Sequence, residues 1–286
     1  MAEKNSRQPA VPGHDRIFNV IGVTILVLSL IVTFYPLLWM VMNSFKTNSE
    51  IITSPLKFPT QFSLEVFKVA WERANFDTAL VSSLKNSAAV VVLTLVTGSL
   101  AGFAFARNRF PGDKFILRVL VLSIIVSAQL VMIPLFFVVR DLKIYDTLWS
   151  TIFSTTALNL PICIYLFQGF FKEIPYEIEE SAMIDGCGRL RFYYRFIIPL
   201  SKPIAATVII FSALWSWNEY LLALTFLKSN PIRTIPLQLQ NFFGRWSTQY
   251  DQLFAALSIS IVPLLIIYVF LQKAFIKGMT AGAVKF

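Results

Sequence analysis

The segment EESAMIDGCGRLRFYYRFIIPL, residues 179–200, is a charged stretch between two of the most apolar parts of the chain. It begins with acids, carries bases in its middle and has a Gly-x-Gly between them. Pro175, just before it, suits the first turn of a helix. Glu179 and Glu180 lie near the start of that helix, where the helix dipole favours acidic side chains. A helix is therefore predicted to begin close to Pro175.

The same segment contains a predicted turn. Gly186 and Gly188 allow the backbone to change direction, so a second short helix is predicted after them. Arg189 follows Asp185 by four residues, and we predict that the two side chains form an ion pair across the turn. The whole arrangement is a helix–turn–helix, which we call the elbow and assign to residues 172–202.

Two interpretations of the elbow remain open from its residues alone. Arg189, Arg191 and Arg195 would suit a helix that rests on the phosphates of lipid headgroups. Contact with a protein is favoured by Ser181 and Ala182, because small side chains allow another surface to approach closely. The acids of the first helix favour it as well, since anionic lipid would repel them.

The composition is that of an integral membrane protein. The 286 residues are 56% hydrophobic and 14% charged, with a mean hydropathy of +0.66, whereas soluble domains are about 25% charged. The net charge of +9 is spread over short segments between apolar runs, which argues against a nucleic-acid-binding face. A single histidine, His14, and two cysteines, Cys163 and Cys187, exclude a histidine metal site, a serine–histidine triad and a disulfide framework.

Six windows are long and apolar enough to cross a bilayer, and the sixth is predicted although Glu219 interrupts it. They are 17–45, 86–106, 119–139, 147–171, 252–272 and 203–227. The first window is too long for the core of a signal peptide and is interpreted as a retained span. We therefore predict an all-α integral membrane protein with six transmembrane helices and the elbow between spans four and five. The N-tail is assigned to 1–16, the transmembrane domain to 17–275 and the C-tail to 276–286.

The distribution of lysine and arginine predicts the orientation. With a cytoplasmic N-terminus, fifteen of the 25 bases lie on the inner side. The segment 107–118 decides the assignment, because it places four bases and one acid directly beside a span. Both termini are therefore predicted to be cytoplasmic.

The residues around the acid inside the fifth predicted span are candidates for a substrate pathway. Trp215, Trp217, Asn218, Glu219 and Tyr220 combine aromatic faces with hydrogen-bonding groups, as sugar sites do. An acid within a span usually faces a bundle interior or water. The alternative is that the carboxylate lies hydrated near the outer end of the span, with the tryptophans in an interfacial belt.

Several other polar side chains within the predicted spans are interpreted as interhelical hydrogen-bonding groups rather than as ligand contacts. They are Asn86, Ser87, Gln129 and Asn159.

The motif EESAMIDGCGRLRFYYRFIIPLSKP resembles the EAA loop of ABC-importer permeases. Glu180, Ser181 and Ala182 match the Glu-Ala-Ala positions, with serine in place of the middle alanine, and Asp185 and Gly186 match the Asp-Gly. The tail of the motif matches at Ile198, Pro199 and Pro203. The stretches FYPLLWMVMNSFKTNSEI, AGFAFARNRFPG, WSWNEYLLALTFL and GMTAGAVKF are similar to the carbohydrate-uptake branch, closest to the smaller permease subunit of maltose-type importers.

This resemblance implies that the elbow is a coupling helix that docks on a cytoplasmic ATPase dimer. The implied coupling residues are Glu179, Glu180, Ser181, Ala182, Asp185, Gly186, Gly188 and Arg189. It also implies a second permease subunit, a different chain in the usual case, and an extracytoplasmic solute-binding protein. The chain lacks a phosphate-binding loop of the Gly-x-x-x-x-Gly-Lys-Ser/Thr type, so no cofactor is expected on it and ATP and Mg belong to the ATPase.

The expected function is that of a non-enzymatic permease subunit for a sugar or oligosaccharide in a bacterial or archaeal cytoplasmic membrane. In maltose-type importers the larger permease supplies most substrate contacts, which weakens the case for the tryptophan cluster. Alternatives are a permease for another small polar solute, such as glycerol phosphate, and an ion-coupled carrier. The carrier is disfavoured because neither an inverted repeat nor a pair of broken helices is visible in the sequence. A membrane-embedded enzyme is disfavoured because Glu219 is the only acid inside a predicted span.

Overall fold

The computed structural model is helical almost throughout and describes the backbone of residues 14–60, 62–244 and 248–283. Its α-helices, numbered in chain order, are α1 (His14–Asn43), α2 (Asn48–Thr53), α3 (Glu65–Arg73), α4 (Phe76–Arg107), α5 (Asp113–Ser123), α6 (Ala128–Asp141), α7 (Leu148–Glu173), α8 (Tyr176–Ile184), α9 (Arg189–Phe192), α10 (Ile198–Leu200), α11 (Lys202–Trp217), α12 (Leu221–Phe226), α13 (Ile235–Gln238) and α14 (Tyr250–Ala283).

Four stretches are each long and apolar enough to cross a membrane: Asn19–Asn43, Phe76–Arg107, Leu148–Glu173 and Tyr250–Phe270. Two pairs of helices reach the same length and hydropathy only together, and each pair is bent at a short break. They are α5 with α6, bent by 109°, and Arg189–Leu200 with α11, bent by 76°. The prediction of an all-helical membrane protein is confirmed, while the number of spans among the described residues lies between four and six.

Two predicted spans are not the continuous helices that the sequence indicates. The window 119–139 is broken after Ser123, and helix α6 begins only at Ala128. The window 203–227 is broken between α11 and α12, around Asn218 and Glu219. At this second break both side chains bond to nearby backbone: the Asn218 amide donates to the Leu214 carbonyl at 2.8 Å, and a Glu219 oxygen accepts from the amide of Leu222 at 2.9 Å. Such local bonds compete with helical ones.

The predicted C-tail is also helical over most of its length. Helix α14 continues to Ala283, so residues 276–283 extend the last predicted span as helix. Pro263 is the last proline of the chain, and no residue after it forces the helix to stop. The first 13 residues of the predicted N-tail and the last three of the C-tail lie outside the described residues.

Helices α4 and α7 form the most extensive helix pair of the described chain. Two glycines one turn apart on α4 bring the helices together. A Cβ atom on Gly102 would lie 2.6 Å from the Cβ of Phe167, and one on Gly98 would lie 3.2 Å from the Cβ of Cys163. Small residues four apart are typical of close packing between membrane helices. The pair forms the frame on which the elbow and a membrane cavity are built.

Candidate functional site: the elbow and a polar membrane cavity

The turn of the elbow is a glycine-terminated helix end. Helix α8 ends at Ile184, and Gly186 has a φ of +78°, in the left-handed region that favours glycine. The amide of Gly186 donates to the carbonyl of Met183 at 3.0 Å, and that of Cys187 donates to the carbonyl of Ala182 at 2.9 Å. This pair of bonds is the Schellman pattern. The turn predicted from the two glycines is therefore confirmed at the first of them.

The second part of the elbow is helical but not uniform. Helix α9 passes into a π turn over Tyr193–Ile197, in which the amide of Ile198 bonds to the carbonyl of Tyr193, and α10 follows. Phe192, Tyr193 and Ile197 are buried against the frame helices, in a cluster that includes Phe103 of α4 and Phe167 of α7. The π turn lets three large side chains of a short segment reach the same core.

The predicted ion pair between Asp185 and Arg189 does not form. The guanidinium of Arg189 instead donates to the side-chain oxygen of Asn108 at 3.2 Å. Side chains four residues apart meet only on a continuous helix, and the left-handed turn at Gly186 separates these two. Arg189 therefore connects the elbow to the end of α4 rather than closing the turn.

The implied coupling residues lie on two different sides of the elbow. Glu179 and Ala182 are buried against the rest of the chain, and Ala182 belongs to the core cluster between α4 and α7. The other six are exposed: Glu180, Ser181, Asp185, Gly186, Gly188 and Arg189. The exposed side also carries large apolar side chains, with Ile184 86% exposed and Leu190 66% exposed. Ala182 therefore packs inward and is not available for contact with another protein.

Buried Glu179 lies beside the last residue of α4. Its carboxylate oxygen Oε2 is 3.7 Å from Nη1 of Arg107, an ion pair beyond hydrogen-bonding distance, and the two side chains are 9% and 0% exposed. The basic end of α4 and the acidic start of the elbow therefore meet inside the protein.

A second site is a cavity of about 600 Å³ within the predicted membrane region. The two helix breaks form it, because residues 123–129 and Asn218, Glu219 and Leu221 lie on its wall. The remainder of the wall comes from α7 and α11, with Asn159 and Trp215 among the lining residues. A carboxylate, amides and an indole thus face one cavity, and this combination suits a hydroxyl-bearing ligand.

Three of the five residues predicted for a substrate pathway line this cavity: Trp215, Asn218 and Glu219. Trp217 does not, because it is 3% exposed and its indole N–H donates to the carbonyl of Ser260 in α14 at 3.3 Å. Residues two apart on a helix point about 200° away from each other, so the two tryptophans face opposite sides. Tyr220 instead packs with a small apolar cluster at the start of α7 and the end of α12.

Two cavity residues were assigned by sequence to interhelical hydrogen bonds. Gln129 and Asn159 both line the cavity, and the Nδ2 atom of Asn159 is buried without a hydrogen-bond partner among the described residues. Asn86 fulfils its assignment, because it accepts a bond from the hydroxyl of Thr151 at 2.8 Å. Each of these three residues is a single amide in an apolar window, so the sequence alone does not distinguish them. The two helix breaks, which the sequence did not predict, form the cavity that Gln129 and Asn159 line and Asn86 does not. Among the described residues no group of histidine, cysteine and acidic side chains could hold a metal ion.

A loop contact joins the outer side of the second break to the rest of the fold. Asp146 accepts bonds from the amides of Lys228 and Ser229, at 2.8 and 2.9 Å, and from the Ser229 hydroxyl. The Ser229 side chain, followed by its backbone amide, lowers the pKa of Asp146 below its usual 3.8. The contact ties the loop before α7 to the residues that follow α12.

Comparison with known proteins places these features in a family context. The family described as "Binding-protein-dependent transport system inner membrane component" matches residues 94–281. A putative ABC transporter permease protein, ORF2, of Caldicellulosiruptor sp. (strain Rt8B.4) is 37% identical over 251 residues, 87% of this chain and 91% of the relative. The melibiose/raffinose/stachyose import permease protein MelC of Bacillus subtilis is 32% identical over 253 residues, 88% of this chain and 91% of the relative.

A further relative and a solved structure agree. The diacetylchitobiose uptake system permease protein DasC of Streptomyces coelicolor is 34% identical over 252 residues, covering 88% of this chain and 91% of the relative. The structure is a chain of a bacterial ABC transporter involved in the import of the acidic polysaccharide alginate. It aligns with a TM-score of 0.78 and 23% identity, over 94% of this chain and 100% of that chain. At this identity the match supports the fold alone.

Proposed function

The chain belongs to the family of binding-protein-dependent transport system inner membrane components, and from this premise we propose that it moves a sugar or oligosaccharide through the membrane as one permease subunit of an ATP-driven importer. The resemblance noted in the sequence is thereby confirmed at the level of the family. The protein is a multi-pass permease of the inner membrane, and ATP hydrolysis belongs to a separate subunit. The proposed orientation has both termini in the cytoplasm.

Coupling through the elbow is carried by one observation above all. Ile184 and Leu190 are 86% and 66% exposed and are the most exposed large apolar side chains of the elbow, whose exposed residues also include Ile178, Met183 and Tyr194. Exposed apolar side chains rimmed by polar residues mark sites that bind another protein or a membrane. An interfacial helix carries basic residues on its polar face and binds anionic lipid, which would repel the exposed Glu180 and Asp185. We therefore assign the exposed side of the elbow to the ATPase dimer, which carries ATP and Mg.

The coupling assignment is tested by Leu190→Asp, with Leu142→Asp as a matched control. Leu142 is 62% exposed, in the loop between α6 and α7 on the opposite membrane face of the proposed orientation. We expect Leu190→Asp to insert normally but to lose most of the co-purifying ATPase, while Leu142→Asp retains it. Equal recovery of the ATPase with both variants would show that the elbow is not the docking surface.

A second permease subunit is supported by helix α1. None of the apolar window of its span is buried within this chain, whereas 61% of the window of α7 is buried. A span that is not buried by its own chain must be surrounded by lipid or by another protein. A chain that forms half of a translocation pathway also needs a second subunit to complete it. We propose a second permease, a different chain as in the resembled importers, and a solute-binding protein that delivers the ligand from outside.

The ligand class follows from the cavity wall. Glu219 supplies a carboxylate, Gln129, Asn159 and Asn218 supply amides, and Trp215 supplies a ring face. Lysine and arginine are absent among the lining residues, so the wall favours an uncharged, hydroxyl-rich ligand over a phosphorylated or sulfonated one. Glycerol phosphate is the second candidate. An anionic substrate is retained as an alternative because one relative, 31% identical, is named as a sulfoquinovosyl glycerol transport system permease.

Uptake by the reconstituted importer distinguishes these ligands. Neutral oligosaccharides and glycerol phosphate would be compared in proteoliposomes, with the wild type and with Glu219→Gln. We expect transport of a neutral sugar and a KM roughly 5- to 160-fold higher in the variant, because removing one hydrogen-bonded charged contact weakens binding by about 1–3 kcal/mol. Transport of the phosphate ester alone would overturn the carbohydrate assignment.

A further inference from the structure

Arg107 is buried at the point where helix α4 meets the elbow. It is the last residue of α4, and its side chain is 0% exposed. The contacts of its guanidinium are all with one short segment: it donates to the carbonyl of Ile174, it lies 3.7 Å from the Glu179 carboxylate, and its carbon lies 4.4 Å above the centre of the Tyr176 ring. The Arg107 side chain therefore contacts the residues just before α8, the first residue of that helix and a residue in its middle.

These contacts differ in kind from the apolar packing beside them. Ala182 and Phe192 already bury the elbow against α4 and α7, and such packing is roughly proportional to area and has no preferred direction. A planar guanidinium that bonds to a carbonyl, stacks on a ring and pairs with a carboxylate requires one relative orientation of the groups. The hydroxyl of Tyr176 adds a bond to the carbonyl of Ala106 at 3.3 Å.

We propose that Arg107 is the positioning residue that makes the elbow and α4 move as one body. The inference rests on the proposed coupling function and names the part of the chain that receives the movement. A displacement of α8 by the ATPase would be passed to the end of α4 through Arg107. The close contact at Gly102 would pass it on to α7, which carries Asn159 on the cavity wall. The continuous packed path between the two sites is the physical basis of the proposal.

The test measures the sugar transported per ATP hydrolysed by the complete importer in proteoliposomes. Arg107→Met keeps the length of the side chain but loses every directional contact. Arg107→Lys keeps the charge but cannot bond, stack and pair together. Arg109→Met is the matched control, because Arg109 is exposed two residues further on. Arg107→Met with Glu179→Met removes both buried charges and so separates the cost of an unpaired carboxylate from the loss of orientation.

We expect all complexes to assemble with the ATPase and the double variant to be the more stable of the two methionine variants. The ratio of sugar to ATP should fall about tenfold in both methionine variants and less in Arg107→Lys, since residues between coupled sites change coupling by about 0.5–2 kcal/mol, roughly 2- to 30-fold. It should not change in Arg109→Met. The wild-type complex is measured first, so that a protein which moves no sugar with its ATPase contradicts the proposed function and not this inference.

Three results would overturn the positioning role. The first is a wild-type ratio in Arg107→Met, and the second is a ratio restored to the wild-type value by the double methionine variant. The third is failure of every Arg107 variant to assemble while Arg109→Met assembles. The last two would reduce Arg107 to a counter-charge or a folding determinant.

Discussion

Helices α4 and α7 contribute buried polar side chains to the elbow and to the cavity, but the contacts of these side chains differ between the two places. At the elbow the guanidinium of Arg107 donates to a carbonyl and lies beside a carboxylate and a ring, although its Nε and Nη1 atoms have no hydrogen-bond partner among the described residues. At the cavity Asn159 is as deeply buried, yet its Nδ2 atom has no partner among the described residues. A paired buried group fixes one arrangement of helices, whereas an unpaired one costs stability and remains free for a ligand. The same pair of helices thus combines a rigid end with a receptive middle.

The first way to break this contrast is to separate the two helices. Gly102→Leu would place a Cβ 2.6 Å from the Cβ of Phe167 and 3.0 Å from the backbone amide of Gln168. Because backbone cannot move aside cheaply, we expect destabilisation of about 3 kcal/mol or more and loss of folded protein. Gly169→Leu on α7 is the control, since a Cβ there meets nothing within 4 Å. Recovery and thermal unfolding in detergent measure both; equal recovery would contradict the close packing.

The second change disconnects the elbow without touching the frame. Gly186→Pro cannot adopt a φ of +78°, because proline is fixed near −65°, so the turn must rearrange. We expect insertion to persist and ATPase binding and transport to be lost. Gly186→Ala, which meets no atom within 4 Å, should lose only about 1 kcal/mol from the left-handed backbone.

Gly188→Ala provides the matched control for the turn. Gly188 has an ordinary φ of −65°, and a Cβ there also meets nothing within 4 Å. Alanine at this position should be neutral in both co-purification and transport. If Gly186→Pro transported normally, the exposed side of the elbow would not be the coupling surface.

The third change compares the two kinds of buried amide directly. Asn159→Leu removes a buried group that has no partner, so stability should stay equal or rise by about 1 kcal/mol, while sugar transport should fall. Asn86→Leu removes the bond between the Thr151 hydroxyl and the α4 amide, and because the hydroxyl can still donate to the Leu148 carbonyl at 2.9 Å, about 1 kcal/mol of stability should be lost. Unfolding temperature and transport KM together separate the two. Destabilisation by Asn159→Leu would mean that this amide has a structural role.

The sequence predicted the elements whose causes are local and missed those whose causes are not. Charge-free windows, the glycine turn at Gly186 and the acidic start of α8 follow from neighbouring residues, and the structure has a helix or a turn at each. The break inside 119–139 has no proline or glycine to signal it. The burial of Glu179 was not predicted because its partner, Arg107, lies 72 positions earlier and was counted only as a loop base.

The candidate cavity shows the same limit in another form. Trp215, Asn218 and Glu219 could be identified because a carboxylate inside an apolar run is unusual. Trp217 was grouped with them by proximity in sequence, which ignores the rotation of a helix. The Gly98 and Gly102 spacing was readable as a close-packing pattern, and it would have identified the frame helix.

The smallest expected effect lies in the loop before α7, where Asp146 accepts bonds from the amides of Lys228 and Ser229. Because those bonds lower its pKa in the folded protein, the contribution is present above the unfolded pKa of about 3.9 and is lost as the pH falls through the lower folded value. Asp146→Asn should lower stability at pH 7 by about 1 kcal/mol or less, since the group is near the surface. The gap from wild type should begin to narrow near pH 4 and should close as the pH falls through the lower pKa of the folded protein.

The control for this pH dependence is Asp141→Asn, which removes an acid whose side chain is 67% exposed and which pairs only with its neighbour Arg140. An exposed pair of this kind contributes about 0–1 kcal/mol, so its removal should leave the unfolding curve nearly unchanged at every pH. Unfolding temperatures of the three proteins between pH 3 and 7 decide the matter. A gap between wild type and Asp146→Asn that is as large at pH 3 as at pH 7 would mean that the packing of the aspartate, and not its charge, holds the loop.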